Sequence, residues 1–303
     1  MGKVAVVFPG QGAQTVGMGK DFYEKFPVAK KMIDTISGAL GFDLKTLMFE
    51  GPIEELTKTE NTQPALVSVC SAILAVLAEK GFTFAAAAGH SLGEYSAYVA
   101  SGKLDGVSAA KLVRKRGELM SKADPSGKGG MAAIMKAEDE TVEKICGKFA
   151  QVVPANYNCP GQLVISGDKT ELEQVYEELK AAGARVMPLN VSGPFHSPLM
   201  KNASGDFASF LKDVEIKAGT VPVYANVTAS PVATGKEKDL LVEQIYSPVK
   251  WTQTIQNMIK DGFDTFVEIG PGSVLKGLIK KIDREVTVYN VDSVAALDSL
   301  DIL

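Results

Sequence analysis

The segment Gly89-His90-Ser91-Leu92-Gly93 decides how the rest of the chain is interpreted. An apolar run of small residues at 82–88 precedes it and predicts a buried strand, and residues 94–100 predict the start of a helix. A Gly-x-Ser-x-Gly segment between a strand and a helix predicts a sharp turn, a nucleophile elbow, that exposes the serine hydroxyl above the sheet. The following helix would point its free N–H groups at the same place, where an oxyanion would form. The segment therefore makes Ser91 a candidate nucleophile.

The composition is that of an ordinary globular protein. Of the 303 residues, 46% are hydrophobic and 22% are charged, and the formal net charge is −4. The chain has no basic tail or block, which argues against nucleic acid or an anionic membrane surface as its main partner. The length is sufficient for a main domain and a smaller second one.

The cysteines and the apolar runs indicate a cytoplasmic protein. Cys70, Cys146 and Cys159 are scattered without metal-ligand spacing, which predicts reduced thiols in a reducing compartment. The short apolar run in residues 1–9 is too short for a signal peptide and predicts a first strand. We also expect no membrane-spanning segment, because no apolar run approaches the required length.

Strands and helices alternate along most of the chain. Strands are predicted at residues 3–8, 82–88, 222–226, 265–269 and 287–291. Helices are predicted at residues 21–40, 62–80, 107–122 and 239–246, among others. This alternation predicts an α/β fold with a parallel sheet covered by helices on both faces.

The middle of the chain has a different pattern. Residues 123–130 contain one proline and three glycines, which predicts a domain boundary. The elements predicted from there to residue 189 have the order β-α-β-β-α-β, a ferredoxin-like pattern. We therefore predict a small domain at residues 127–190, inserted into a larger one formed by residues 1–126 and 191–303.

A nucleophilic serine needs a base, and histidine is the usual one. The chain has two histidines. His90 precedes Ser91 on the predicted strand, where adjacent side chains point to opposite sides, so we expect His90 to pack rather than to reach the hydroxyl. His196 lies in a proline-flanked loop between the small domain and a helix of the large one. It is therefore the candidate base.

The group that orients His196 and the group that binds the substrate are less defined. No Asp or Glu has a distinctive context, and a backbone carbonyl or an amide could orient the ring equally well. Arg114 and Arg116 lie two residues apart on a predicted helix, so they face different directions. One of them could enter the pocket near Ser91 and bind a carboxylate or a phosphate.

A glycine-rich loop, Pro9-Gly10-Gln11-Gly12-Ala13-Gln14, follows the first predicted strand. Its glycines do not fit Gly-x-Gly-x-x-Gly leading into a helix, and no Gly-Lys-Ser/Thr follows, so a nucleotide-binding loop is disfavoured. A loop that brings backbone N–H groups close to a ligand fits better.

Seven motifs follow one another along the chain. They are Phe-Pro-Gly-Gln-Gly-Ala-Gln (8–14), Gly-His-Ser-Leu-Gly-Glu (89–94), Arg-Lys-Arg-Gly (114–117), Asn-Cys-Pro-Gly-Gln (158–162), Gly-Pro-Phe-His-Ser (193–197), Tyr-Ser-Pro-Val-Lys-Trp (246–251) and Glu-Ile-Gly-Pro-Gly (268–272). In this order the chain resembles the malonyl-CoA:acyl carrier protein transacylase family over nearly its whole length. The resemblance implies an α/β-hydrolase-like parallel-sheet core with an inserted ferredoxin-like domain.

The resemblance also implies roles for individual residues. Ser91 would be the acylated nucleophile, and His196 would be the base and then the acid. The backbone N–H groups of Gln11 and Leu92 would form the oxyanion hole. A main-chain carbonyl near Gln244 would orient His196, which would explain the missing acid.

The reaction implied by the resemblance is a ping-pong acyl transfer that supplies the elongation unit for fatty-acid synthesis. Malonyl-CoA would bind with its free carboxylate on Arg116, and Ser91 would attack the thioester. The phosphopantetheine thiol of acyl carrier protein would then attack the malonyl-serine. This chemistry requires no metal or cofactor, and we expect the enzyme to be a monomer with malonyl-CoA and acyl carrier protein as partners.

Three other functions share parts of this pattern. A serine esterase or thioesterase would also use Ser91 and His196, but it predicts a site open to water and no buried arginine. A non-catalytic binding module would not need both nucleophile and base. An acyltransferase for another acyl-CoA would need a different pocket, because the ring of Phe195 would crowd an α-methyl group.

Overall fold

The computed structural model describes residues 2–301, in which strands and helices alternate. The strands are β1 (Lys3–Phe8), β2 (Ala86–Gly89), β3 (Gly129–Met135), β4 (Val152–Cys159), β5 (Gln162–Asp168), β6 (Arg185–Leu189), β7 (Val223–Tyr224), β8 (Phe263–Ile269) and β9 (Thr287–Val291). The helices are α1 (Lys20–Lys25), α2 (Pro27–Ala39), α3 (Leu44–Glu50), α4 (Ile53–Leu56), α5 (Thr59–Glu79), α6 (Gly93–Ala100), α7 (Gly106–Lys122), α8 (Asp139–Cys146), α9 (Lys169–Ala181), α10 (Lys201–Leu211), α11 (Glu237–Glu243), α12 (Trp251–Lys260), α13 (Val274–Ile282) and α14 (Val294–Asp298). A 3₁₀ turn at Pro198–Met200 precedes α10.

The larger sheet has five parallel strands in the order β7-β2-β1-β8-β9. Along the central strand β1, Val6 and Phe8 are buried in one core cluster, and Ala5 and Val7 in another. Alternate residues of a strand point to opposite faces, so both faces of the sheet are covered. The predicted parallel sheet with helices on both faces is confirmed.

The smaller sheet is antiparallel, with the order β4-β5-β3-β6. Helices α8 and α9 pack with it around a core cluster of its own. The connection β3-α8-β4-β5-α9-β6 in this strand order is the ferredoxin-like arrangement, so the predicted fold class is confirmed. The edge strand β4 also bonds to a segment of the larger part, because Val249 exchanges backbone hydrogen bonds with Ala155 (2.8 Å) and Tyr157 (2.9 Å).

Several predicted helix boundaries are wrong. The helix expected at residues 21–40 is divided into α1 and α2, because Phe26 precedes a proline and is extended, with φ −118° and ψ 117°. Helix α5 begins at Thr59, so Pro64 lies inside it rather than in its first turn. Proline has no N–H to donate, and the Glu60 carbonyl accepts a hydrogen bond from Nη1 of Arg114 instead (3.0 Å). Helices α3 and α14 were not predicted.

Helix α5 has 21 residues and is apolar enough, by length and composition alone, to cross a membrane. The expectation that no apolar run approaches the length of a membrane span is therefore wrong. In the fold, 78% of the apolar window of this helix is buried, and the helix packs against α2, α6 and α7. It is a core helix of the larger part of the protein.

Candidate active site

The elbow lies at the carboxyl edge of the larger sheet, where β1 and β2 end side by side. Ser91 has a φ of 50°, which L-residues rarely adopt. A Cβ added at Gly89 would lie 1.9 Å from the carbonyl carbon of Gly93, and one added at Gly93 would lie 2.1 Å from the Phe8 carbonyl oxygen. The turn therefore requires glycine on both sides of the serine, as the motif predicted.

Ser91 and His196 are in contact. Oγ of Ser91 lies 2.7 Å from Nε2 of His196, and Nδ1 of the same ring lies 2.8 Å from the carbonyl oxygen of Gln244. A carbonyl can only accept, so Nδ1 carries the hydrogen and Nε2 accepts the serine hydroxyl. The group that orients His196 in the structure is therefore the backbone carbonyl of Gln244.

The end of helix α11 makes this carbonyl available. A helix was predicted to continue to residue 246, but it ends at Glu243. The last carbonyls of a helix lack intrahelical partners. Gln244 and Ile245 follow directly after the helix, and their carbonyls accept from His196, through Nδ1 (2.8 Å) and through its backbone N–H (3.2 Å).

The imidazole of His196 is neutral over the physiological pH range. Burial lowers its pKa to about 3, and the nearby positive charge of Arg116 acts in the same direction. A neutral ring with its lone pair on Nε2 can take a proton from Ser91.

Arg116 is buried beside the nucleophile, with 1% of its surface exposed. Its Nη1 donates to Oε1 of Gln63 (2.9 Å), and its Nη2 donates to Oε1 of Gln244 (3.0 Å) and to Oγ of Ser91 (3.3 Å). Burial lowers the pKa of the guanidinium. The structure therefore brings a cation within hydrogen-bond reach of the serine oxygen.

Arg114 faces a different direction, as its spacing from Arg116 predicted. Its side chain pairs with Glu118 of the same helix (2.9 Å) and bonds to the start of α5 through the Glu60 carbonyl. It does not line the pocket that contains Ser91.

Two residues beside Ser91 have backbone N–H groups without an acceptor among the described residues. They are Gln11 and Leu92, which both line the pocket that contains Ser91. The N–H of Ser91 itself is occupied, because it donates to Oδ1 of Asn226 (2.7 Å). The loop that carries Gln11 is fixed by its own side chain, since Nε2 donates to Oγ1 of Thr59 (3.2 Å).

The pocket has a volume of about 420 Å³ and lies between the two sheets. Met131 and Val164 of the smaller sheet line it, together with Ser91, Phe195 and Leu278 of the larger part. The rest of its wall is mostly apolar, with the amide side chains of Asn156, Asn158 and Gln162 as further polar groups. Within residues 2–301, no group of three or more His, Cys, Asp or Glu side chains could hold a metal ion.

Known proteins resemble this chain over nearly its whole length. The acyl transferase domain family matches residues 5–298 of the chain. The malonyl CoA-acyl carrier protein transacylase of Bacillus subtilis (strain 168) is 46% identical over 297 residues, which are 96% of this chain and 94% of that protein. A protein of the same name from Staphylococcus aureus (strain MRSA252) is 45% identical over 300 residues, 97% and 96% of the two chains. The chain belongs to the malonyl CoA-acyl carrier protein transacylase family.

Solved structures of this transacylase family share the fold. An acyl carrier protein S-malonyltransferase from Vibrio cholerae has a TM-score of 0.96 and 44% identity, covering 99% of this chain and 100% of that one. A malonyl-transacylase in complex with a type II PKS acyl-carrier protein has a TM-score of 0.95 and 42% identity, with 98% of each chain covered.

His90 packs as predicted within this transacylase fold. Its Nε2 lies 2.8 Å from Oδ1 of Asn158, and its ring lies 5.7 Å from the ring of Trp251. Burial lowers its pKa. It makes no hydrogen bond to Ser91, so of the two histidines only His196 contacts the serine hydroxyl.

A buried polar layer beneath the candidate site was not predicted from the sequence. Glu94 and Asn226 are fully buried and bond to each other and to the elbow, and the side chains of Gln63 and Gln244 hold Arg116. The sequence did contain one indication for Glu94. It is the only charged residue of α6, whose other residues are mostly small or aromatic. Asn226 lies just beyond a two-residue strand and has no such indication.

Proposed function

We propose that this chain transfers a malonyl group from malonyl-CoA to the phosphopantetheine thiol of acyl carrier protein through a malonyl-serine intermediate. It thereby supplies the elongation unit for fatty-acid synthesis. The observation that carries the proposal is the buried guanidinium of Arg116, with Nη2 3.3 Å from Oγ of Ser91. A fixed cation beside the nucleophile selects an acyl group that has a carboxylate of its own. The names of the relatives support the same reaction.

In the first half-reaction, Oγ of Ser91 attacks the thioester carbonyl carbon and its proton passes to Nε2 of His196. The carbonyl oxygen becomes an oxyanion, which accepts hydrogen bonds from the N–H groups of Gln11 and Leu92. The C–S bond then breaks, and the proton on His196 goes to the departing CoA thiolate. The products are malonyl-serine and free CoA.

The second half-reaction runs the same steps with a different nucleophile. The thiol of the carrier protein gives its proton to Nε2 of His196, and its sulfur attacks the ester carbonyl of malonyl-serine. When the tetrahedral intermediate collapses, Oγ of Ser91 leaves and recovers that proton. The Gln244 carbonyl holds Nδ1–H throughout and stabilises the imidazolium that forms in each step.

The two proposed oxyanion donors are expected to contribute most of the electrostatic stabilisation. Loss of one preorganised donor typically lowers kcat by about 10²–10³-fold. Both donors are backbone N–H groups. The glycines around Gln11 therefore matter because they allow the backbone to place its N–H group, and not because of contacts that the glycines make. Thr59 and its neighbour Ser192, whose hydroxyls lie 3.2 Å apart, support the Gln11 loop.

The alternatives fit the site less well. An esterase or thioesterase needs water at the acyl-enzyme and has no use for Arg116, which is 1% exposed and contacts the nucleophile. A binding module would not need a neutral histidine bonded to a serine hydroxyl. Among acyltransferases, a malonyl donor is favoured over an α-methylated one, because Phe195 lines the pocket next to His196.

We also propose how the molecule is divided and where it acts. Residues 1–126 and 191–303 would form the catalytic domain and residues 127–190 the insertion, with the pocket between them. The separate hydrogen-bonding ladders of the two sheets support this division. We infer a cytoplasmic monomer whose partners are malonyl-CoA and acyl carrier protein, with no nucleic acid or membrane partner.

The proposal is tested by incubating the protein with malonyl-CoA and phosphopantetheinylated acyl carrier protein. We expect malonyl-carrier protein as the main product, measured by intact mass, with little free malonate. Free malonate as the main product would instead identify a thioesterase. Equal transfer from acetyl-CoA would contradict selection of the acyl group by its carboxylate.

A further inference from the structure

A closed ring of hydrogen bonds lies under the elbow. The N–H of Ser91 donates to Oδ1 of Asn226 (2.7 Å), and the N–H of Asn226 donates to Oε2 of Glu94 (3.0 Å). Nε2 of Gln244 donates both to the same Oε2 (2.7 Å) and back to the carbonyl oxygen of Ser91 (2.9 Å). Glu94, Asn226 and Gln244 are all fully buried, so water does not compete for these bonds.

Gln244 connects this ring to both functional side chains. Its backbone carbonyl holds Nδ1 of His196, and its side-chain oxygen accepts from Nη2 of Arg116 (3.0 Å). The backbone carbonyl is fixed by the chain, but the side-chain amide has two orientations that differ by exchange of oxygen and nitrogen. Which orientation is present decides whether Arg116 meets an acceptor or a donor.

The neighbours of the amide select one orientation. In the observed one, the NH₂ group faces two acceptors, Oε2 of Glu94 and the Ser91 carbonyl, and the oxygen faces the guanidinium. In the opposite one, an oxygen would face two oxygens and an NH₂ group would face the donors of Arg116. Each of these contacts would leave a buried polar group without a partner.

We propose that Glu94 is a positioning residue for the acyl-group selectivity of this site, because it fixes the amide of Gln244 and thereby the position of Arg116. The inference rests on the proposed function, in which Arg116 binds the malonyl carboxylate. It adds that the specificity of Arg116 depends on a carboxyl group that touches neither the substrate nor the guanidinium. Glu94 acts as a hydrogen-bond acceptor, a role that an amide oxygen can also fill.

The test compares two substitutions of Glu94 by kcat/KM for malonyl-CoA and acetyl-CoA. Glu94→Gln keeps an oxygen that can accept from both Asn226 and Gln244, so both values should remain within about threefold of wild type. Glu94→Ala removes the acceptor, and the malonyl-to-acetyl ratio should fall by about 10-fold or more, the loss expected for a hydrogen bond to a charged group.

Two further variants give the test its controls. Glu237→Gln removes another buried carboxylate, which pairs with Lys103 (2.8 Å) away from the pocket, and should leave the ratio within about twofold of wild type. Gln244→Leu keeps the carbonyl that holds His196 but removes the amide, so it should lower the ratio as Glu94→Ala does. Adding Glu94→Ala to Gln244→Leu should lower the ratio no further, because both act through one amide.

The outcomes separate this inference from the proposed function on which it rests. If Arg116→Ala leaves the ratio unchanged, the proposed function is overturned, and this inference with it. If Arg116→Ala shifts the ratio but Glu94→Ala does not, only the role of Glu94 is overturned. The same holds if Glu94→Gln loses as much selectivity as Glu94→Ala. If circular dichroism shows that Glu94→Ala does not fold, a wild-type ratio in Gln244→Leu overturns the inference.

Discussion

Oγ of Ser91 lies 2.7 Å from Nε2 of His196, and both residues adopt a positive φ, 50° and 58°. This conformation costs an L-residue about 1–2 kcal/mol. It persists only where the surroundings determine it. Here the side chain of Asn226 bonds to the Gly89 carbonyl and to the Ser91 N–H, and the carbonyls after α11 hold His196. The contact is therefore set by distant parts of the chain rather than by the local sequence.

Replacement of His196 should remove catalysis without unfolding the protein. We expect His196→Ala to lower transfer by about 10²–10⁴-fold, because no other described side chain accepts the proton of Ser91. His196→Asn should be equally inactive but melt at a higher temperature than His196→Ala, since asparagine tolerates positive φ. Near-normal turnover in either variant would contradict the mechanism.

Replacement of Arg116 should change which acyl group is accepted. Arg116→Ala should lower the malonyl-to-acetyl ratio of kcat/KM by about 10²-fold, since breaking a buried charge pair on one side costs about 2–5 kcal/mol. Transfer from acetyl-CoA should be less affected, because acetyl-CoA has no free carboxylate that pairs with Arg116. The matched control is Arg114→Ala on the same helix, whose side chain pairs with Glu118 and which should leave the ratio nearly unchanged. An equal loss for both thioesters in Arg116→Ala would refute the assignment.

Gly93 and Gly277 should respond to substitution by alanine in opposite ways. At Gly93 an added Cβ would lie 2.1 Å from a backbone oxygen, whereas at Gly277, within α13, it would meet nothing within 4 Å. Gly93→Ala should therefore destabilise the protein and lower transfer. Gly277→Ala should raise its stability by about 0.5–1 kcal/mol. Thermal melts measure both, and a wild-type melting temperature for Gly93→Ala would show that the elbow is not tightly packed.

The stability of Glu94→Gln relative to wild type should increase with pH. Burial raises the pKa of Glu94 from 4.5 to about 7. A carboxyl group whose pKa is higher in the folded protein stabilises the fold when the pH is below its unfolded-state pKa. That stabilisation is lost as the pH rises through the folded-state pKa. As the pH rises, the free energy of unfolding of wild type therefore falls by about 1.4 kcal/mol for each unit by which the Glu94 pKa is raised. The glutamine variant has no such loss.

Melting temperatures of the two proteins between pH 4.5 and pH 8 test this dependence, over a window that brackets the two pKa values. Arg116, Tyr95 and Tyr98 interact with the carboxyl group through their charges, and Glu268 and His196 also have shifted pKa values, but these five residues are present in both proteins. A constant difference in melting temperature across the range would mean that the pKa of Glu94 is not raised.

The sequence predicts the parts of the site that depend on local pattern. The elbow follows from two glycines and a strand-helix junction, and His196 follows from the small number of histidines. The ring beneath them could not be predicted, because Glu94 bonds to Gln244 150 residues away and to Asn226 132 residues away. Such pairs are created by the tertiary fold. They leave no periodicity or spacing in the chain.

Helix boundaries were missed for a related reason. Local propensity does not show that the Glu60 carbonyl has a donor in Arg114, which allows α5 to begin before Pro64. It also does not show that helix α11 ends at Glu243, where the next two carbonyls bond to His196. In both places a residue from elsewhere in the chain donates to a carbonyl that has no partner within a helix.

The central claim is that Ser91 carries the malonyl group during transfer. Intact-protein mass spectrometry after mixing with malonyl-CoA, without acyl carrier protein, measures this directly. We predict one covalent malonyl group per chain in wild type, its loss on addition of phosphopantetheinylated acyl carrier protein, and no adduct in Ser91→Ala. A malonyl adduct that persists in Ser91→Ala, or transfer that proceeds in that variant, would contradict the account.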